Sequence, residues 1–307
     1  MLVSIIIPAY NCADFVEEAI ACALGQTGVD IEVILVDNNS TDTTLEVLHK
    51  AARQHPTTIQ VLQATTQGPA AARNRGLAVA QGEWIQFLDA DDLIAADKIS
   101  GQLALVTTEA WVVAAFEELD LRGTITPYPL HNDPWKGLAL GEGIGQTSAN
   151  LFRRSALQAV NGFDETLLNV EDHNLFFRLL AAGYLPYHDH MIGATVRDRP
   201  TNKQSRFDQA GQLERRVALH QRMHLHLRDH YPKYYQAEGD FLRATLLNHY
   251  RYWAHFARDK AVPSAKAFFP LVGGLPRRSY GLLPEWILLG YRFLGLGGME
   301  WLRSRWW

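Results

Sequence analysis

Three aspartates lie within four residues at the end of an apolar segment of this chain. Asp89, Asp91 and Asp92 follow residues 84–88, a Trp-Ile-Gln-Phe-Leu run. Carboxylates this close repel each other and lose hydration on burial unless a cation or hydrogen-bond donors lie between them. Carboxylate oxygens suit hard divalent ions such as Mg²⁺ and Mn²⁺, which in turn bind phosphate-bearing substrates. The cluster therefore predicts a metal site, with a solvated aspartate-rich turn as the alternative.

The segments around these aspartates alternate between strand and helix signals. Short β-branched and apolar runs predict strands at 3–7, 31–36, 59–62, 84–88 and 111–116, and helical spacing predicts helices at 14–24, from caps at 40–42 to residue 52, and at 69–80. Such alternation implies an α/β fold with a parallel sheet covered by helices on both faces. Residues 123–145 are rich in glycine and proline, which predicts a loop-rich segment.

Polar segments follow three of these predicted strands. Residues 8–11 follow the first strand, residues 37–40 follow the second, and the aspartate cluster follows the fourth. Because ligands in open α/β sheets bind beyond the carboxyl ends of the strands, the three segments are expected to form one site. The first strand is not followed by GxGxxG, and the chain has no GxxxxGK[ST] loop, so dinucleotide-binding and P-loop ATPase functions are disfavoured.

Composition narrows the function classes further. The 307 residues carry a formal net charge of −4, which gives no electrostatic support for a nucleic-acid partner. Cys12 and Cys22 match no metal or redox spacing and are typical of reduced packing residues in a cytoplasmic protein. Residues 1–8 predict a strand rather than a secretory signal. No uninterrupted apolar stretch reaches transmembrane length, and cytoplasmic localisation is expected.

A second acidic segment lies further along the chain. Glu171 and Asp172 precede apolar residues at helical spacing, with Gly183 as a stop signal, so the pair is expected in the first turn of a helix. The helix dipole alone favours acidic residues there, and the residue pattern by itself makes the pair structural. The dipole would also lower the pKa of a carboxylate and weaken it as a base, whereas burial and nearby carboxylates would oppose that shift.

Five motifs resemble, in order and spacing, those of the inverting family 2 glycosyltransferases of the GT-A fold. They are Pro-Ala-Tyr-Asn at 8–11, Val-Asp-Asn-Asn-Ser-Thr-Asp at 36–42, Ala-Arg-Asn-Arg-Gly at 72–76, Phe-Leu-Asp-Ala-Asp-Asp at 87–92, and Asn-Gly-Phe-Asp-Glu at 161–165 followed by Glu171-Asp172. The resemblance covers about residues 2–200. It implies a GT-A type, Rossmann-like α/β fold with a mixed, mostly parallel sheet flanked by helices, and a helical C-terminal extension.

The resemblance implies donor-binding roles for several residues. Pro8, Ala9 and Tyr10 would line the nucleotide pocket, and Asp37 would bind the nucleotide base, usually uracil. The alternative for Asp37 is a cap of the turn that follows. Arg73 would lie on the donor side, with a surface position on its helix as the alternative.

The resemblance also implies a metal-dependent reaction. Asp89 and Asp91 resemble the Asp-x-Asp pair, in which one carboxylate contacts ribose and the other contacts the Mn²⁺ or Mg²⁺ that bridges the donor diphosphate. Such an ion stabilises the charge of the departing diphosphate. Asp172 resembles the catalytic base, which removes the proton of an acceptor hydroxyl on the opposite face of the sugar. The roles of residues 147–152 stay open between acceptor contacts and a strand end.

Two positions depart from the family pattern. Asn38 stands where many members have a second acidic residue, and Arg199 occupies the approximate position of a histidine often assigned as a metal ligand. A water molecule or Asp198 would then complete the metal shell, or Arg199 would contact the diphosphate directly with its guanidinium. His188 and His190 are alternative ligands.

The chain is expected to divide into a catalytic domain at 1–200 and a helical extension at 201–307, with helices near 204–228 and 234–258. Histidines at 220 and 224, and at 226 and 230, are spaced one turn apart and could bind zinc, but a solvated helical face is favoured over that role. Residues 282–307 mix aromatic, aliphatic and basic side chains, which predicts peripheral contact with the inner face of the cell membrane. Packing as a core helix is the alternative.

The predicted function is transfer of a sugar from a UDP-linked donor to a glycan or lipid-linked acceptor in cell-surface or exported glycan synthesis. One alternative is a catalytically inactive nucleotide-sugar-binding scaffold on the same fold. A sugar-phosphate nucleotidyltransferase is disfavoured because the glycine-rich loop usual after its first strand is missing.

Overall fold

The computed structural model describes residues 1–141, 143–198, 208–282, 287–289, 291, 295, 298 and 299. The chain divides into two compact units, Met1–Lys203 and Gln204–Trp307. The first unit combines a sheet with helices, and the second unit is helical. Arg199 and most of the aromatic and basic tail at 282–307 lie outside the described residues.

The described part of the first unit contains one sheet of eight strands. They are β1 Leu2–Ala9, β2 Asp30–Asp37, β3 Ile59–Gln63, β4 Trp84–Phe87, β5 Trp111–Leu119, β6 Ile125–Tyr128, β7 Leu151–Arg153 and β8 Tyr187–Arg197. The strand order is β3-β2-β1-β4-β7-β5-β6, and β8 pairs with β5. Four neighbouring pairs, β1–β2, β1–β4, β2–β3 and β5–β8, are parallel, while β7 and β6 join the sheet by antiparallel pairs.

Helices connect and cover these strands. In the described part of the first unit they are α1 Val16–Leu24, α2 Thr44–Gln54, α3 Pro69–Leu77, α4 Lys98–Leu105, α5 Pro134–Leu140, α6 Arg154–Ala159 and α7 Glu171–Ala181. The arrangement confirms the predicted GT-A type α/β fold with a mixed, mostly parallel sheet. The segment 123–145, predicted to be rich in loops, also contains the short strand β6 and the helix α5. Asp133 caps α5 by accepting hydrogen bonds from the backbone N–H groups of Trp135 and Lys136 at 2.9 and 3.1 Å.

Close packing of α3 on β1 fixes the position of the Ala-Arg-Asn-Arg-Gly motif. Ile5, Ile6 and Ile7 are fully buried, so both faces of β1 are covered, as expected for a strand inside a parallel sheet. A Cβ atom at Gly76 would lie 2.5 Å from Ile6 Cγ2. Glycine therefore lets the helix approach the strand closely enough to carry Arg73 toward the end of β4.

The described residues of the second unit include three long helices and a 3₁₀ turn. They are α8 Gln209–His230, α9 Pro232–Phe256, α10 Arg258–Phe268 and the turn Phe269–Val272. Large apolar side chains of α9, including Leu246, Tyr250 and Trp253, are buried against Phe268 and Phe269. Within the described residues, no helix is both long enough and apolar enough to span a bilayer.

Two histidines of α8 are buried, which corrects the prediction of a solvated histidine face. His220 is 2 % and His224 is 0 % exposed, because they share a face of α8 with the buried Val217 and Leu227. The ring of His220 lies 4.4 Å from that of His249, and His224 Nδ1 lies 2.9 Å from the Tyr235 hydroxyl oxygen. In the part of the chain that the structure describes, no group of three or more His, Cys, Asp or Glu side chains could hold a metal ion.

Acid is expected to destabilise the second unit through His224. Burial lowers the pKa of His224 to about 4, whereas an unfolded histidine titrates near 6.5. The neutral ring is favoured in the folded state, so its stabilisation is complete above pH 6.5 and is lost as the pH falls toward 4. One group with this difference contributes about 3 kcal/mol across that range. Urea unfolding between pH 7 and pH 4.5 measures it. His224→Phe should flatten the pH dependence, and the exposed His230→Phe should not; equal slopes in both variants would contradict the assignment.

Candidate functional site

The polar segments after β1, β2 and β4 meet at one edge of the sheet. Ala9 is in register with Asp37, and the Asn38 N–H donates to the Ala9 carbonyl at 2.8 Å. The Leu88 N–H donates to the Ile6 carbonyl at 3.0 Å, which aligns the end of β4 with β1. These pairings bring together the three segments that the sequence placed at carboxyl strand ends.

Asp37 carries an unsatisfied acceptor at this edge. The residue is 2 % exposed, and its Oδ1 atom is buried without a hydrogen-bond donor in the described part of the chain. The following turn is held instead by Asn11, whose Oδ1 accepts from the Thr41 N–H at 2.8 Å and whose N–H donates to Ser40 Oγ at 3.1 Å. These contacts argue against a capping role for Asp37. A buried carboxylate oxygen without a donor is costly, so Asp37 suits a ligand that brings an N–H group.

The three residues predicted to line the nucleotide pocket differ in exposure. Pro8 is half-buried within β1 and is in register with Val36, Ala9 is buried, and Tyr10 is exposed just beyond the strand. Tyr10 therefore presents an aromatic surface at the same edge as the Asp37 carboxylate, where a planar base could lie against it.

The three clustered aspartates divide into two that are partly exposed and one that is buried. The side chain of Asp89 is 36 % exposed, Asp91 is half-buried, and Asp92 is buried. Ser148 fixes the loop by donating from Oγ to Asp92 Oδ2 at 2.6 Å and accepting from the Asp89 N–H at 3.1 Å. Burial, together with the charges of Asp89 and Asp91, raises the pKa of Asp92 well above its usual value. Ser148 was missed as a loop anchor because it lies 56 residues from Asp92 in the sequence.

The donor set at this loop fits a hard divalent cation. Asp89 and Asp91 offer carboxylate oxygens, and a cation there would offset the repulsion that Asp92 experiences. The described residues contain no group of three or more His, Cys, Asp or Glu side chains that could hold a metal. Mg²⁺ is often bound by one or two carboxylates plus substrate phosphates and water, and two carboxylates match that pattern.

Arg73 joins the aspartate loop to the distal acidic pair. Its Nη2 donates to Asp89 Oδ1 at 2.7 Å, and its Nη1 donates to Glu171 Oε1 at 2.9 Å. Its guanidinium carbon lies 5.2 Å from the centre of the Phe163 ring. Burial alone would lower the pKa of Arg73, but the carboxylates of Asp89 and Glu171 raise it above its usual value, so the side chain is charged. Arg73 is only 4 % exposed, which argues against a surface role.

The neighbouring Asn74 holds the Asn-Gly-Phe-Asp-Glu motif. Its Nδ2 donates to the Phe163 carbonyl at 2.9 Å, and its Oδ1 accepts from the Phe163 N–H at 2.8 Å. Gly162 has a φ of +59°, and a Cβ there would lie 2.5 Å from Asn74 Oδ1. The Ala-Arg-Asn-Arg-Gly and Asn-Gly-Phe-Asp-Glu motifs, which are far apart in sequence, are therefore in direct contact.

Glu171, Asp172 and His173 form the first turn of α7. Burial and the charge of Asp172 raise the pKa of Glu171, and Arg73 only partly opposes this shift. Burial would also raise the pKa of Asp172, but the charge and hydrogen bonds of His173 outweigh it and lower that pKa below its usual value. Asp172 Oδ1 accepts from the His173 backbone N–H at 2.7 Å and lies 2.9 Å from His173 Nδ1. The role of His173 could not be predicted from the sequence, because its contact with the Gly141 carbonyl depends on the position of the turn after α5.

Comparison with known proteins gives consistent matches. The Glycosyl transferase family 2 model matches residues 4–160. An uncharacterized glycosyltransferase of Haemophilus influenzae is 44% identical over 102 residues, covering 33% of this chain and 41% of that protein. The Escherichia coli UDP-Glc:alpha-D-GlcNAc-diphosphoundecaprenol beta-1,3-glucosyltransferase WfaP is 42% identical over 108 residues, covering 35% and 42%. The chain thus spans less than half the length of either relative.

A solved structure shares the fold. The crystal structure of Staphylococcus aureus TarS 1-349 in complex with UDP-GlcNAc superposes with a TM-score of 0.70 at 19% identity, covering 99% of this chain and 91% of that chain.

Proposed function

Because this chain belongs to glycosyl transferase family 2, we propose that it transfers a sugar from a UDP-linked donor to a hydroxyl group, with inversion at the anomeric carbon. The observation that carries this proposal is the pair of hydrogen bonds by which Arg73 links Asp89 to Glu171. These bonds support the proposal because they connect the aspartate loop to the first turn of α7, in which Asp172 follows Glu171. A donor site and a proton acceptor in one place are what a single displacement at a sugar carbon requires.

The nucleotide is proposed to bind across the ends of β1 and β2. The N3–H of uracil would donate to Asp37 Oδ1, which is buried without a donor in the described residues. Pro8 and Ala9 would form the wall of the pocket, and Tyr10 would lie against the base.

The diphosphate is proposed to lie over Asp89 and Asp91. These carboxylates would hold Mn²⁺ or Mg²⁺, and Asp89 would also contact the ribose. When bound, such an ion would neutralise the negative charge that develops on the leaving diphosphate. The protein's own contribution is to keep the loop in place through Ser148 and Arg73.

Asp172 is proposed to accept the proton of the attacking hydroxyl. It lies at the start of α7, its side chain is 19 % exposed, and Arg73 connects its neighbour Glu171 to the donor loop. The acceptor oxygen forms a bond to the anomeric carbon as the bond from that carbon to the diphosphate breaks. The proton passes to the carboxylate, and the diphosphate leaves with the electron pair.

The acceptor is proposed to be a growing glycan or a lipid-linked sugar of the cell surface. The relative WfaP is named for a UDP-Glc donor and a diphosphoundecaprenol-linked acceptor. An acceptor of that kind would give peripheral contact of the tail at 282–307 with the inner membrane face a purpose. The alternative function is that of a nucleotide-sugar-binding scaffold that does not catalyse transfer.

Metal is expected to control nucleotide affinity. Removing Mn²⁺ with a chelator should weaken UDP binding sharply, and Asp91→Ala should reproduce that loss without unfolding the chain, because the diphosphate charge would no longer be offset. Calorimetry with UDP, and thermal shifts with UDP-glucose, UDP-N-acetylglucosamine, UDP-galactose and GDP-mannose, measure the effect. The exposed Asp97→Asn is the control. Equal UDP affinity with and without metal would contradict the assignment, and nucleotide binding without any donor hydrolysis would favour the scaffold.

A further inference from the structure

The His173 side chain lies between Asp172 and the turn that follows α5. Its Nδ1 is 2.9 Å from Asp172 Oδ1, and its Nε2 is 2.6 Å from the Gly141 carbonyl oxygen. Both distances are in the hydrogen-bond range. A carbonyl and an ionised carboxylate are acceptors only, so the imidazole must supply the hydrogen in both contacts.

A neutral imidazole cannot satisfy this geometry. It carries one N–H and one lone pair, so one of its nitrogens would face an acceptor oxygen with a lone pair. The doubly protonated ring donates at both nitrogens and forms a charge-assisted bond with the carboxylate. The contacts of His173 therefore favour the imidazolium beside an ionised Asp172.

The surrounding groups are consistent with a cation at this position. On α7 the ionisable neighbours are Asp172 and Glu171, and the ring of Phe176 lies 6.1 Å from the His173 ring. From α3, Arg73 acts on the same carboxylates but donates its hydrogen bonds to Glu171 and Asp89. From the described part of the turn after α5, the neutral carbonyl of Gly141 faces His173.

We propose that His173 is a positioning residue that holds the base of the transfer reaction: its imidazolium and its backbone N–H both bind Asp172 Oδ1 and thereby fix the orientation of the carboxylate. The bond to Gly141 anchors the ring to the α5 turn, so the carboxylate cannot rotate without breaking its own bond to Nδ1. This inference rests on the proposed function of Asp172. It adds a pH limit, because loss of the Nε2 proton at high pH, the proton that faces the neutral carbonyl, would leave a lone pair facing the Gly141 oxygen and remove the anchor of the ring.

Three substitutions separate positioning from simple packing. In His173→Asn, the amide nitrogen takes the place of Nδ1 and stays a donor to Asp172 at every pH. In His173→Gln, the amide nitrogen takes the place of Nε2 and preserves only the tie to Gly141. His173→Phe keeps a ring and removes both donors. The exposed His49→Asn serves as the matched control.

The first measurement is Mn²⁺-dependent release of UDP from UDP-glucose and UDP-N-acetylglucosamine. His173→Phe and His173→Gln should lower kcat by about tenfold to a hundredfold, the range of one charged hydrogen bond, with little change in donor KM. His173→Asn should retain more activity than either, and its rate should no longer fall at alkaline pH. Equal losses in all three variants with an unchanged pH profile would overturn the proposal.

The second measurement does not depend on turnover. Long-range ¹H–¹⁵N spectra of histidine-labelled protein report the protonation of each ring, and His173→Gln identifies the His173 signals. Asp172→Asn should move the titration midpoint of the His173 ring toward acid by about one pH unit or more, because an opposite charge at this distance favours the cation. An identical midpoint in both proteins would overturn the proposal. Wild-type protein that releases no UDP from either donor would count against the proposed function, while the titration would still decide the role of His173.

Discussion

Exchanging Asp172 for asparagine is expected to lower kcat by about 100- to 10,000-fold, since a positioned general base contributes a factor of that size. Asparagine has nearly the same size, and its side-chain oxygen can still accept the bonds that reach Oδ1 at 2.7 and 2.9 Å. It has no basic oxygen. Because the proton moves only in the transition state, kcat and kcat/KM should fall together while donor affinity stays nearly constant.

Fixed-time assays of UDP release measure the loss of kcat, and calorimetry of UDP binding tests whether the donor affinity is unchanged. Asp97→Asn is the matched control, because Asp97 is exposed at the start of α4 and its side chain does not cap that helix. An Asp172→Asn enzyme that keeps more than about a third of wild-type turnover would make Asp172 a helix-capping residue. The search for a base would then move to Glu171 or Asp164.

The α/β fold was predictable because its strands are buried on both faces. Runs such as Ile5–Ile7 and Val33–Val36 are fully buried, and continuous apolar segments of this kind are the mark of parallel strands. The alternation of strands and helices then fixed which ends would share an edge. Helix α5 was not predicted within the loop-rich segment 123–145, although Asp133 followed by Pro134 is a strong helix-start signal.

The site was less predictable because its key contacts depend on partners far apart in sequence. Arg73 lies on a short alanine-rich helix whose pattern gives little contrast between buried and exposed faces, and its second partner is 98 residues away. The burial of His224 was not predicted for a related reason. Histidine counts as polar in a hydrophobic pattern, although here its ring fills an apolar face of the helix. Asp37 was predicted as a base-binding residue from resemblance alone, and the structure adds a buried Oδ1 without a donor in the described residues.

Replacing Arg73 by methionine is expected to destabilise the first unit by about 3–5 kcal/mol, because it removes one partner of a buried ion pair. The side chains of Arg73 and Glu171 are only 5 % and 11 % exposed. Methionine fills much of the same volume but leaves the Glu171 carboxylate buried beside Asp172 without its cation. The exposed Arg75→Met, two residues along the same helix, is the matched control.

The loss should depend on pH with a definite sign. Burial already raises the pKa of Glu171 while Arg73 opposes the shift, so without Arg73 that pKa should rise further. A carboxyl whose folded pKa lies above its unfolded value destabilises the fold increasingly as the pH rises between the two values. Urea unfolding of Arg73→Met should therefore show a smaller deficit at pH 5 than at pH 7.5.

A double variant completes the argument. Arg73→Met combined with Glu171→Gln removes the uncompensated charge, so it should recover much of the lost stability and most of the pH dependence. Activity should not return, because Asp89 would still lack the guanidinium that holds it at 2.7 Å. Recovery of stability without recovery of UDP release would separate the two roles of Arg73, one toward the fold through Glu171 and one toward the donor loop through Asp89. A double variant as unstable as Arg73→Met alone would show instead that the cost lies in packing against Phe163 rather than in the buried charge.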